Sequence, residues 1–189
     1  MGFFKCYDKK IIEEFAIRTI SKSFDSKFSL YDSPEDTNNF DFISPNKKEA
    51  IEITTVIPEN EMQAYIYEKE LYCGKNNLNP NKISNVKLRE DGTLYSYNGG
   101  SMYEIGQKIL EIIKKKHEIA IKRKENTCID IVDLCICMVD GSLYDINSFE
   151  IQFSDLLEES IFRNIFFITP SSFIKYNKQC GFEEYDRKI

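Results

Sequence analysis

Two acidic residues in apolar surroundings, Asp41 and Glu52, are the residues of this chain best suited to metal chemistry. Asp41 lies in the segment Asn-Phe-Asp-Phe-Ile, and Glu52 lies in Ile-Glu-Ile-Thr. Strand side chains alternate with period two, so Thr54 shares a strand face with Glu52. A carboxylate in an apolar strand is costly to bury unless its charge is compensated. Since a divalent cation shared by two carboxylates is one such compensation, we predict that Asp41 and Glu52 converge on one cation.

The composition indicates a folded protein. Of its 189 residues, 42% are hydrophobic and 13% are aromatic, which is enough for a sizeable core and argues against extended disorder. The net charge of −6 excludes a general polyanion binder, so a nucleic acid would need a local basic patch.

The six cysteines include no Cys-x-x-Cys pair, and His117 is the single histidine. This pattern favours reduced thiols over disulfides or a zinc site. No apolar run approaches the length of a membrane span, so we expect a cytoplasmic protein without a membrane partner.

Hydrophobic periodicity predicts the order α, β, β, β, insertion, α, β, α, β. Helices are expected at 9–24, 61–72, 101–122 and 153–161, and strands at 28–31, 40–44, 50–56, 86–90, 93–97, 130–139 and 164–169. Asp8 is the expected N-cap of the first helix, and Asp91-Gly92 is the turn of a hairpin. The order predicts one α/β (α+β) domain over 1–189, in which a mixed central sheet is flanked by helices. An inserted helix and hairpin occupy about 57–100.

This order of elements, together with Asp41 and the tripeptide Glu52-Ile53-Thr54, resembles the PD-(D/E)XK nuclease superfamily. Asp41 corresponds to the aspartate of the motif, the tripeptide corresponds to (D/E)-x-K, and Glu13, rather than Glu14, matches an accessory acid on the first helix. The resemblance implies a restriction-endonuclease-like core, with Mg²⁺ or Mn²⁺ bound by Asp41 and Glu52. It implies a divergent nuclease that hydrolyses phosphodiester bonds in DNA, with Asp41, Glu52, Thr54 and Glu13 as its catalytic residues.

The chain departs from the motif at two positions, with Phe40 in place of proline and Thr54 in place of lysine. The loss of the proline is minor, because the aspartate is the residue that coordinates the metal in the family. A threonine hydroxyl can hold a water molecule but carries no positive charge. We therefore expect either a lysine from elsewhere, such as Lys48 or Lys108, or reduced or absent activity.

Two further patterns are open to more than one interpretation. One basic cluster consists of Lys114, Lys115, Lys116, Lys122, Arg123 and Lys124. It fits either a contact surface for a phosphate backbone or a solvated helix end, where cations are favoured. Gln63 and Tyr67 are similar to a Gln-x-x-x-Tyr pair of the RecB-type branch of the superfamily, but they also fit a solvated polar stripe.

Two rival hypotheses accompany the nuclease. The first is a catalytically inactive nuclease-like fold that acts as a protein-binding module, for example an acidic inhibitor or immunity protein that neutralises a basic partner. The second is an α/β protein whose acidic residues are coincidental. DNA is the expected partner of an active enzyme, and a homodimer is plausible only by analogy with the fold.

Overall fold

The computed structural model describes residues 8–36, 39–56, 86–88, 94–96, 102–138, 157–169 and 172–188. The chain divides into two compact units, one made of 1–56 with 108–189 and the other of 57–107. The elements in chain order are α1 (Lys9–Ser23), a 3-10 helix (Ser26–Leu30), β1 (Phe42–Ile43), β2 (Glu49–Val56), β3 (Val86–Leu88), β4 (Leu94–Ser96), α2 (Met102–Glu125), β5 (Ile131–Met138), β6 (Asn164–Ile168), β7 (Phe173–Asn177) and β8 (Gly181–Tyr185).

The larger unit contains a mixed six-stranded sheet in the order β1-β2-β5-β6-β7-β8. The central pairs β2–β5 and β5–β6 are parallel, and the outer pairs are antiparallel. The described helices and this sheet make an α+β class, which confirms the predicted mixed central sheet.

Helix α1 forms as the sequence predicts. The carboxylate of Asp8 accepts a hydrogen bond from the backbone N–H of Lys10 at 2.9 Å, which caps the first turn. Ile12, Ala16 and Ile20 recur at helical spacing and are buried. These side chains are the apolar stripe by which the helix joins the core.

The β1–β2 hairpin fixes the register around the acidic residues. Phe42 is paired with Ile51 and Ile43 with Ala50. In the connecting turn Lys47 has a φ of 56°, and the backbone N–H of Ser44 donates to the carbonyl oxygen of Glu49 at 2.8 Å. Asp32 adds an antiparallel bridge to Ile43 on the other side of β1.

The segment Phe28–Tyr31 is not the predicted strand. It belongs to the 3-10 helix, in which the Asp25 carboxylate accepts from the backbone N–H of Lys27 at 3.0 Å. Phe28 is fully buried, and its ring centroid lies 5.9 Å from that of Phe166 on β6. The aromatic contact with the sheet outweighs the local β preference of this segment.

The C-terminal strands β7 and β8 were not predicted. They form an antiparallel hairpin in which Lys175, in the middle of β7, faces Glu183. The Lys175 ammonium also lies 4.9 Å from the ring centroid of Phe24. A charged residue at a buried strand position breaks the apolar alternation, so the pattern of β7 is hidden in the sequence.

In the smaller unit, β3 and β4 are antiparallel, with Lys87 opposite Tyr95, as predicted for a hairpin. The predicted helix at 61–72, with Gln63 and Tyr67, lies outside the described residues. The predicted helix at 153–161 is described only from 157 onward, where one helical turn covers 157–159. None of the described helices is both long enough and apolar enough to cross a membrane.

Candidate functional site

Asp41 lies one residue beyond the β1–β2 ladder and across from Glu52. Its Oδ2 atom accepts a hydrogen bond from the backbone N–H of Ile53 at 2.7 Å. A strand carbonyl would normally accept from this N–H, so the carboxylate takes the place of the next rung of the ladder. The side chain is 11% exposed, and its other oxygen, Oδ1, faces the ammonium group of Lys9.

Glu13 on α1 joins Asp41 around one ammonium group. Lys9 Nζ lies 2.9 Å from Glu13 Oε1 and 3.3 Å from Asp41 Oδ1. Glu13 is 13% exposed, whereas the Lys9 side chain is 76% exposed. The helix and the hairpin thus bring together two carboxylates that are distant in sequence, and an exposed lysine bridges them.

Asp41 is close enough to Glu13 to affect the pKa of Glu13. Burial raises the pKa of Glu13, Lys9 opposes this rise, and the negative charge of Asp41 adds to it. The buried Oε1 atom of Glu13 makes no well-aligned hydrogen bond among the described residues. Lys9 is near in distance but poorly directed, so we give the ion pair weight as charge compensation and not as a hydrogen bond.

Glu52 is 0% exposed, and its charge is compensated from α2. Lys116 Nζ lies 2.6 Å from Glu52 Oε2, and the guanidinium of Arg123 contacts Glu52 Oε1. Lys116 and Arg123 lie about two helical turns apart and so share a face of α2. Two cations compensate the buried carboxylate, and breaking such an arrangement by removing one partner is costly.

Lys116 connects the two acidic groups electrostatically. Burial lowers the pKa of Lys116, and the positive charge of Lys9 lowers it further. The negative charges of Asp41 and Glu13 act in the opposite direction. Lys116 therefore feels the charges of Asp41 and Glu13 while it is bonded to Glu52. It brings to this region the positive charge that Thr54 does not supply.

The predicted ligand pair, Asp41 and Glu52, is placed in two different environments. Asp41 shares Lys9 with Glu13, whereas Glu52 binds Lys116 and Arg123. Thr54 is partly exposed and lies opposite Ile136 in the parallel register. Within the described ranges, no group of three or more His, Cys, Asp or Glu side chains is arranged to hold a metal ion.

The adjacent carboxylates of Glu13 and Asp41 nevertheless fit a hard divalent cation. Both offer oxygen ligands, and Glu13 Oε1 lacks a well-directed donor. Mg²⁺ commonly uses one or two carboxylates and takes its other ligands from water and substrate phosphate. The oxygen atoms of Glu13 and Asp41 are thus of the ligand type that the expected metal uses.

The residues of the predicted basic cluster fall into two groups, those whose side chains contact the protein and those whose side chains face solvent. Lys116 and Arg123 face Glu52, and Lys124 Nζ donates to the carbonyl oxygen of Asp130 at 2.6 Å. The side chains that face solvent are Lys114, Lys115 and Lys122, interleaved with the exposed Glu111, Glu118 and Glu125. The exposed side of the helix therefore carries balanced charge.

Neither lysine proposed as a substitute for the motif lysine reaches the acidic residues through a described contact. Lys48 Nζ lies 3.2 Å from Asp130 Oδ2, and Lys108 has no ion pair among the described residues. The role of Lys116 was missed, although the sequence contains a signal for it. Lys116 interrupts the apolar stripe of α2 between the buried residues Ile113 and Ala120. A cation at a core position predicts a buried acidic partner.

A second polar network joins three strands on the other side of the sheet. The fully buried carboxylate of Asp133 on β5 is bound by the Arg163 guanidinium, and the backbone N–H of Asn164 donates to its Oδ1 at 3.0 Å. Arg163 also lies 2.8 Å from Glu49 at the start of β2. Burial raises the pKa of Asp133, and Arg163 counteracts this rise. The charged groups of this network, Asp133, Arg163 and Glu49, all have protein partners, which indicates a structural role.

His117 accepts a hydrogen bond at Nδ1 from the backbone N–H of Ile161 at 2.9 Å. It thereby joins α2 to the segment before β6. This contact indicates a structural role for His117.

No family model matches the sequence, and neither the curated proteins nor the solved structures contain a match to the chain.

Proposed function

We propose that this chain is a divergent, metal-dependent nuclease that hydrolyses phosphodiester bonds, with DNA as its substrate. The proposal is supported chiefly by one observation. The carboxylates of Glu13 and Asp41 share the ammonium group of Lys9 and lie within electrostatic range of Lys116. Paired acidic ligands beside a partly buried lysine are the groups that metal-assisted phosphoryl chemistry requires.

The order of elements supports a restriction-endonuclease-like core. Helix α1 is followed by the Asp32 bridge, the antiparallel pair β1–β2, helix α2 and then β5 parallel to β2. The resemblance to the PD-(D/E)XK superfamily was based on three strands after the first helix. The first of them, predicted at 28–31, is a 3-10 helix, so the order is kept only in the helix, the antiparallel pair β1–β2, the second helix and the parallel strand.

Each residue of the site has a role in this proposal. Asp41 and Glu13 would hold Mg²⁺ or Mn²⁺, which when bound polarises a scissile phosphate and lowers the pKa of a coordinated water. The Lys9 side chain is 76% exposed and can leave the carboxylates when the metal binds. Lys116 supplies positive charge near the phosphate, Glu52 positions Lys116, and the Thr54 hydroxyl orients water.

A metal titration tests the proposal. Mn²⁺ binding is measured by electron paramagnetic resonance for the unmodified protein and for Asp41→Asn and Glu13→Gln. We expect each substitution to weaken binding by about tenfold or more, which corresponds to about 1.4 kcal/mol for a lost charged ligand. Glu14→Gln is the matched control, because Glu14 is the exposed neighbour of Glu13 on α1. Equal Mn²⁺ affinity in all four proteins would contradict the proposal.

Activity is measured separately as cleavage of labelled DNA in the presence of Mg²⁺. Lys116→Ala should reduce cleavage strongly, whereas Lys114→Ala, an exposed lysine on the same helix, should not. A folded protein that binds Mn²⁺ through Glu13 and Asp41 but does not cleave DNA or RNA would overturn the nuclease assignment.

One observation favours a second candidate, the inactive nuclease-like fold that binds a protein. Lys116 and Arg123 already compensate the charge of Glu52. The carboxylate of Glu52 is therefore not available to bind a metal or a proton in catalysis. This candidate predicts no saturable Mn²⁺ binding and no cleavage, together with binding of a basic protein through acidic surface residues.

A further inference from the structure

Charged side chains from α1, α2 and the β1–β2 region of the larger unit form one connected group, which we call the charge cluster. They are linked to one another by ion pairs and by electrostatic interaction within the described part of the chain. The charge cluster consists of Lys9, Glu13, Asp41, Glu52, Lys116 and Arg123. Because it contains as many cations as anions, its formal charge is zero.

One half of the charge cluster contains the two carboxylates proposed to hold the metal, and these already share a cation. Lys9 Nζ lies 2.9 Å from Glu13 Oε1 and 3.3 Å from Asp41 Oδ1. A divalent cation would therefore compete with an ammonium group for the same oxygen atoms. This competition opposes binding of the metal by itself.

The other half of the charge cluster joins two cations to one carboxylate. Lys116 and Arg123 contact the two oxygen atoms of the single carboxyl group of Glu52, so their charged groups lie side by side. Burial lowers the pKa of Lys116, and the charges of Asp41 and Glu13 also act on it, which shows that the two halves interact. The half around Glu52 carries an excess of positive charge, which the half around Lys9 balances.

A neutral cluster attracts neither a cation nor an anion strongly. A bound divalent metal would leave an excess of positive charge, even after Lys9 has moved into solvent, and uncompensated charge in a partly buried position is costly. A phosphate group by itself would be repelled by the three carboxylates. The two ions together cancel each other's excess charge.

We propose that Mg²⁺ and a phosphate group bind the charge cluster together, with each ion increasing the affinity for the other. The inference rests on the proposed function, since it takes Glu13 and Asp41 as the metal ligands. It adds that the free protein binds the metal weakly and recruits it together with the phosphodiester substrate. Coupling between two ligands is reciprocal, so Mg²⁺ raises the affinity for phosphate by the same factor.

Mn²⁺ titrations of the full chain, followed by electron paramagnetic resonance, measure this coupling. They are made with and without inorganic phosphate, and potassium chloride keeps the ionic strength constant. The Mn²⁺–phosphate complex in free solution is measured without protein and subtracted. We expect phosphate to raise the Mn²⁺ affinity by about tenfold or more. Mn²⁺ binding that phosphate does not strengthen would overturn the inference alone, whereas no Mn²⁺ binding under either condition would contradict the proposed function as well.

Two substitutions change the charge of the cluster in opposite directions. Lys9→Gln removes a cation, so it should tighten Mn²⁺ binding in the absence of phosphate by about threefold or more. Glu52→Gln removes an anion that is not a proposed metal ligand and keeps an oxygen acceptor for the two cations. It should weaken binding of Mn²⁺ alone and strengthen binding of phosphate alone, which a purely structural role of Glu52 would not do.

Lys10→Gln is the matched control, because Lys10 is the exposed neighbour of Lys9 on α1 and forms no ion pair among the described residues. The Lys9 side chain is 76% exposed, so Lys9→Gln should fold normally and decides the test even if Glu52→Gln does not fold. Equal Mn²⁺ affinities of Lys9→Gln and Lys10→Gln would overturn the inference.

The dinucleotide thymidylyl-thymidine, which contains one phosphodiester, is titrated in the same way. An increase in Mn²⁺ affinity with this dinucleotide supports both the coupling and the phosphodiester substrate. An increase with inorganic phosphate alone would support the coupling but contradict the proposed substrate.

Discussion

Glu13 and Asp41 illustrate, at the scale of single residues, how a fold places like charges together. Desolvation and repulsion both disfavour ionised Glu13, and Lys9 only partly offsets them. Paired carboxylates of this kind are frequent at functional sites, although structural ion-pair networks also contain them.

The raised pKa of Glu13 gives a pH-dependent prediction. The folded protein retains the Glu13 proton above the ordinary value of 4.5, at which the unfolded chain loses it, so stability falls as the pH rises through the folded pKa. Glu13→Gln removes this loss, so the difference in free energy of unfolding between the variant and the unmodified protein should shift in favour of the variant from about pH 4.5 to the folded pKa and stay constant above it. Urea unfolding at several pH values measures the difference.

Excess Mg²⁺ should reduce the advantage of Glu13→Gln at neutral pH, because a bound cation would stabilise the ionised pair. A difference between the two proteins that is constant with pH would show that Glu13 has the same pKa in the folded and unfolded states.

At the scale of elements, Glu52 joins strand β2 to helix α2 through Lys116 and Arg123. Because the carboxylate is fully buried, removing it leaves two cations without their partner. We therefore expect Glu52→Ala to lower the free energy of unfolding by about 3 kcal/mol or more, as for other broken buried ion pairs. Urea unfolding checks this value, and Lys114→Ala should change it by less than about 0.5 kcal/mol.

A triple substitution separates the charges from the packing. Glu52→Leu combined with Lys116→Met and Arg123→Met replaces the ionic cluster by apolar groups of similar volume. Such replacements are often neutral or stabilising, so the triple variant should regain most of the stability that Glu52→Ala loses. If the triple variant were as unstable as Glu52→Ala, the loss would come from packing around Glu52.

At the scale of the whole molecule, the six-stranded sheet uses no residue between 57 and 107. All strands of this sheet lie in the larger compact unit, which also contains the acidic residues. A chain in which 57–101 is replaced by a flexible Gly/Ser linker should therefore still fold cooperatively. Circular dichroism during urea unfolding would show a single transition, and loss of that transition would show that the larger unit requires the segment.

The sequence by itself determined the elements whose signals are local. The stripe of α1 with its Asp8 cap, the apolar run of β5 and the β3–β4 hairpin follow from side-chain periodicity and turn chemistry within a few residues. These signals also predicted the mixed sheet, because the alternation of helices and strands limits how strands can pair.

Only the tertiary structure decided which charges meet. Lys116 binds Glu52 across 64 residues of chain, and Lys9 binds Asp41 across 32. Contacts at such separations depend on how the helices pack against the sheet, and no local pattern specifies that packing. The same reason explains Phe28, which lies in a 3-10 helix because its ring packs against Phe166, a residue far along the chain.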